Sequence, residues 1–75
     1  ISTYHHFEDP VGLLKNARSS LKQNGTLAIG EWLKATSQEK VIEQVEAAGF
    51  RLERIETFLK ENDLYIYLFK INTEK

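Results

Sequence analysis

Residues 9–31, DPVGLLKNARSSLKQNGTLAIGE, decide the fold class. Asp9 is a good N-cap, and Pro10 suits the first helical position, where its missing N–H costs nothing. Val11, Leu14, Ala17 and Leu21 recur at helical spacing and Leu13 widens the stripe. Lys15, Arg18 and Lys22 fall outside that stripe or near the C-terminal end, where cations complement the helix dipole. Gly12 weakens the first turn by about 1 kcal/mol relative to Ala, and Asn24-Gly25 is predicted to supply a left-handed stop. Thr26–Glu31 is short, apolar and bounded by turn residues, which reads as a buried strand although Ala and Gly are poor strand formers. A helix followed at once by such a strand is the second half of a βαβ crossover, so the chain is read as α/β.

Upstream, Ile1-Ser2-Thr3-Tyr4 reads as the tail of a strand lying parallel to Thr26–Glu31, and the domain is expected to begin before Ile1. Downstream, Thr36 and Glu39 have capping-box spacing, and Val41, Ile42, Val45 and Ala48 form the apolar face of a second helix. Gly49 closes that helix, with Phe50 returning against Val45. Phe50 to Ile71 then reads as an antiparallel hairpin turning at Lys60–Asp63. Arg51, Glu53, Arg54 and Glu56 make its first strand polar and tolerant of an edge, whereas Leu64–Phe69 is apolar on both faces and is predicted to be an interior strand.

The 75 residues, 41% hydrophobic and 28% charged, suffice for one packed domain of modest stability. A net charge of −1 with the signs interspersed leaves no basic stripe for nucleic acid. There is no cysteine, hence no disulfide and no cysteine-based zinc site. The longest apolar run is far too short for a membrane span and no signal pattern opens the chain, so a cytoplasmic location is expected.

The densest polar cluster, Tyr4-His5-His6-Phe7-Glu8-Asp9, falls at the C-terminal end of the opening strand, where open α/β sheets place their ligands. A His there can act as a general base or orient an acceptor; adjacent His on a strand point opposite ways, so at least one of the two is filler. The same divergence argues against a metal site. Glu31-Trp32 ends the next strand on the same rim, with Trp32 either a pocket wall or a packing lid. Asn24-Gly25-Thr26 matches a glycosylation acceptor but reads better as the helix stop. No nucleophile elbow or glycine-rich phosphate loop occurs. Tyr65 and Tyr67, alternating with apolar residues, read as core.

Three phrases carry a family resemblance: His5-His6-Phe7-Glu8-Asp9-Pro10, Leu21-Lys22-Gln23-Asn24-Gly25-Thr26-Leu27, and Glu46-Ala47-Ala48-Gly49-Phe50. From Tyr4 to Phe69 the chain resembles the C-terminal half of class I S-adenosylmethionine-dependent methyltransferases, above all the small-molecule group of the ubiquinone and menaquinone biosynthesis type. The resemblance implies a Rossmann-like sheet in the order 3-2-1-4-5-7-6. Residues 1–75 would be a partial domain holding the end of the fourth strand, a helix, the fifth strand, a helix, the sixth strand and an antiparallel seventh between the fifth and sixth. It implies that the glycine-rich loop and the acidic ribose-binding residue lie in an N-terminal half outside these residues. It places Thr3, Tyr4 and His5 beside the methyl-bearing end of the cofactor, and His6, Phe7, Glu31 and Trp32 around the pocket of a small-molecule acceptor, with His5 and His6 the candidate catalytic residues.

Methyl transfer from a sulfonium is an in-line displacement that needs alignment and a dry pocket, and a base when the acceptor must lose a proton. The chain alone is then expected to be inactive and, with a sheet edge exposed, to dimerise, swap strands or aggregate. The competing expectation is a non-catalytic α/β interaction module or a methyltransferase-like pseudoenzyme.

Overall fold

Asp9 starts the first helix as its sequence predicts. In a computed structural model that describes residues 4–6 and 8–73, Asp9 Oδ1 accepts the Gly12 amide at 3.1 Å, and α1 runs from Pro10 to Ser20. The helix stops before Asn24-Gly25. The hydroxyls of Ser19 and Ser20 both donate to the Asn16 carbonyl, Leu21 turns extended, and its N–H goes back to the Arg18 carbonyl. Serine hydroxyls that compete for helix carbonyls end it one turn early. Gly25 has no left-handed backbone and closes an ordinary turn, its amide donating to the Lys22 carbonyl at 2.8 Å.

Strand β1 covers Thr26–Trp32 and helix α2 Gln38–Ala47. The N-cap of α2 is Ser37, whose oxygen accepts the Lys40 amide; Thr36, predicted for that role, is drawn away by Glu31. Gly49 ends α2 as expected, at φ 100°, with its amide donating to Glu46. A left-handed backbone there is natural for glycine. The Gly49 carbonyl in turn accepts both Arg18 Nε at 3.0 Å and the Asn72 amide at 2.9 Å, so one peptide group joins α1, the end of α2 and the segment after the last strand.

Strands β2, Phe50–Leu59, and β3, Leu64–Ile71, form the predicted hairpin through a 3-10 turn at Lys60–Asn62 and a left-handed Asp63. The sheet order is β1-β3-β2, with β3 antiparallel to both neighbours. The doubly apolar strand is thus interior. The polar strand β2 is an edge, interrupted opposite β3 by bulges at Glu53 and Phe58 that discourage a further strand from adding.

Leu27, Ile29, Tyr67 and Phe69 project from one face of the sheet into a core shared with Leu14 of α1 and Val41, Val45 and Ala48 of α2. Phe50 is buried in the same core as Val45. Fully burying side chains of this size contributes roughly 1.5–3 kcal/mol each before entropy is counted. On the opposite face Ala28, Gly30, Trp32, Leu64, Ile66 and Leu68 stay exposed or half-buried, because both helices pack on the other side.

The opening segment differs from its reading. Ile1 to Thr3 lie outside the described residues, and with them the predicted parallel pairing to β1. Tyr4, expected at a strand end, begins a 3-10 turn, Tyr4–His6. That turn sinks the Tyr4 ring into the core at 2% exposure, and its hydroxyl donates to Gln44 Oε1 at 2.7 Å. The described structure is a small α/β domain of two helices on a three-stranded antiparallel sheet.

Candidate functional site

The pleat of β1 sends Leu27, Ile29 and Glu31 to the same, helix-covered face. Two of these are core residues, so the third, a carboxylate, is buried with them at 0% exposure. Burying a carboxylate without partners is prohibitive, and three donors converge on this one. Oε1 accepts from His5 Nδ1 at 2.7 Å and from the Trp32 amide at 2.9 Å, while Oε2 accepts from the Thr36 hydroxyl at 3.1 Å. Glu31 therefore ties the 3-10 turn before α1, the end of β1 and the loop into α2 into one polar knot.

An ionised carboxylate accepts and does not donate, so the short contact makes His5 Nδ1 the N–H-bearing nitrogen. The His5 side chain is 31% exposed, and its ring meets Trp32 edge-on with centroids 6.5 Å apart and planes at 72°. The buried charge is felt by two tyrosines. Burial, and then the Glu31 carboxylate, push the Tyr4 hydroxyl up to about 12 from 10.0; burial, Glu31 and Tyr65 raise Tyr67 as well. Tyr67 is fully buried and its hydroxyl has no hydrogen-bond partner among the described residues.

Beside the knot a cleft of about 270 Å³ is lined by Tyr4, His5, Glu8, Pro10, Ala35, Thr36, Lys40 and Gln44. Of the residues singled out from sequence, the structure brings together Tyr4, His5, Glu31 and Trp32. Glu31, expected around the acceptor pocket, is covered and accepts from His5, the Trp32 amide and Thr36. Thr3, Phe7 and the side chain of His6 lie outside the described residues. Among the described residues no group of three His, Asp or Glu is arranged to hold a metal ion. No described helix is long and apolar enough to cross a membrane.

Sequence reading missed Thr36, Lys40 and Gln44. Gln44 left a trace, as a polar residue inside the apolar stripe of Val41, Val45 and Ala48, which is where a helix keeps a side chain bonded to a buried partner. Thr36 left none, since its role depends on how the loop folds back on Glu31.

Comparison with protein-family models, with curated proteins and with solved structures gave no match for this chain. The fold and site define a small α/β domain with a His–Glu pair, backed by Thr36, at the C-terminal end of its first strand.

Proposed function

We propose that this chain is the acceptor-side part of an S-adenosylmethionine-dependent methyltransferase acting on a small molecule, completed by a cofactor-binding half and inactive without it. The observation that carries the reading is the His5–Glu31 pair at the end of β1, on the rim where α/β sheets present ligands. The β1-β3-β2 order supports it too, matching the fifth, seventh and sixth strands of that Rossmann-like family.

The residues present suit one end of the cofactor. A buried carboxylate beside the rings of Tyr4, His5 and Trp32 favours positive charge, as a sulfonium carries. A cleft of about 270 Å³ is small for the whole cofactor, since pockets that enclose such ligands run from roughly 300 to 1,000 Å³. When bound, S-adenosylmethionine supplies an electrophilic methyl group. This chain's residues do the rest of the work at the acceptor: Glu31, itself held by Thr36, fixes the His5 ring, the imidazole takes the proton that an oxygen or nitrogen acceptor loses, and Trp32 holds the ring from the side. His5 is the catalytic residue in this reading, Glu31 and Thr36 are positioning residues.

The test is calorimetric titration of the complete protein with S-adenosylmethionine, followed by turnover of H5A and E31Q. Binding, with a loss in kcat of about a hundredfold or more for H5A, is expected; no heat at millimolar cofactor overturns the reading. Turnover by the 75-residue chain alone overturns its dependence on another half.

A second reading, a non-catalytic interaction module, is favoured by the open sheet face and by Phe58 and Leu59, which are 64% and 45% exposed. It requires the complete protein to ignore S-adenosylmethionine and the chain to self-associate or capture a partner in sedimentation experiments.

A further inference from the structure

The cleft beside His5 carries two opposite charges that no described residue neutralises. Glu8 and Lys40 both line it, yet neither makes an ion pair with the other or with any other described residue. Helix energetics do not account for Lys40, which stands in the first turn of α2, where a cation opposes the helix dipole. The space between them is polar: Thr36, Gln44 and His5 complete the lining. The Gln44 carbonyl oxygen is taken by Tyr4, so its amide N–H group is what that residue has for a ligand.

A simple anion would satisfy Lys40 and be repelled by Glu8; a simple cation would do the reverse. A small molecule bearing a carboxylate and an ammonium group satisfies both. We propose that the cleft is a binding site for a zwitterion of the amino-acid class, its carboxylate toward Lys40 and Gln44 and its ammonium toward Glu8. The binding goes beyond the methyl-transfer reading and does not depend on it. Each contact is solvent-facing and therefore modest, so the pair of charges acts mainly as a selectivity device.

Three probes test this on the 75-residue chain: L-alanine, propionate, which is alanine without the ammonium, and ethylamine, which is alanine without the carboxylate. Amide chemical shifts of Glu8, Thr36, Lys40 and Gln44 are followed through each titration. Alanine is expected to bind severalfold more tightly than either half, K40Q to bring it down to the ethylamine level, and E8Q to the propionate level. Both side chains are exposed, so the variants keep the native spectrum and a folding failure is recognised at once. Equal binding of the three probes, alanine no tighter than propionate, or no binding of alanine at tens of millimolar overturns the proposal. Because no cofactor is present, these outcomes are separate from the fate of the methyltransferase reading.

Discussion

The buried carboxylate of Glu31 meets the imidazole of His5 at 2.7 Å, joining residues 26 positions apart. E31A strips the acceptor from His5, the Trp32 amide and Thr36 together, and a buried donor left unmade costs about 1–3 kcal/mol. A chain of this size has on the order of 4–11 kcal/mol in all. E31A is therefore expected to lower the urea midpoint severely, and E31Q, which keeps an oxygen in place, much less. Equal midpoints for E31A and the parent chain would show that the knot does not hold the domain together.

Alkaline pH is expected to unfold the domain. The Tyr4 hydroxyl is raised to about 12 in the fold from 10.0, and Tyr67 is raised in the same direction, so the unfolded chain releases these protons first. Stability from this source is complete below pH 10 and is lost as pH rises through about 12. Tyrosinate absorbance and circular dichroism should change together in that window. Y4F should flatten the alkaline loss.

Tyr67 offers a gain. Its hydroxyl is buried without a partner among the described residues, and such a group costs about 1–3 kcal/mol. Y67F keeps the ring and is expected to raise the urea midpoint; a fall would mean that the hydroxyl is bonded in solution.

Two glycines should respond differently to alanine. At Gly49, with φ 100°, a Cβ would stand 2.6 Å from Arg18 Nε, so G49A combines roughly 1–2 kcal/mol of backbone strain with loss of the Arg18 contact. At Gly12 a Cβ would meet the Asp9 carboxylate, so the helix-propensity gain of about 1 kcal/mol is offset by an N-cap of similar worth. G12A is expected to be near neutral in the parent and stabilising by about 1 kcal/mol in D9A. Denaturation of the four chains of that cycle decides it.

Features whose cause is local were readable from sequence. Asp9-Pro10 opens α1, Gly49 closes α2, and apolar residues on both faces of Leu64–Phe69 put that strand inside the sheet. What escaped were side chains captured from a distance. Glu31 takes the Thr36 hydroxyl, so the cap passes to Ser37; Gln44 takes the Tyr4 hydroxyl and the opening residue becomes a turn. The site followed the same division: His5, Glu31 and Trp32 were visible as chemistry on one rim, whereas Thr36, Lys40 and Gln44 needed the loop and the second helix in place.

The central strand of the sheet is also the last of the described strands to be made. Until Leu64–Ile71 has left the ribosome, β1 and β2 have no described strand to pair with, and the faces of α1 and α2 have no finished sheet to rest on. A stop codon anywhere before Leu64 would therefore release a chain whose β1 and β2 lack the strand that joins them, a substrate for proteases rather than a smaller working version of the described domain.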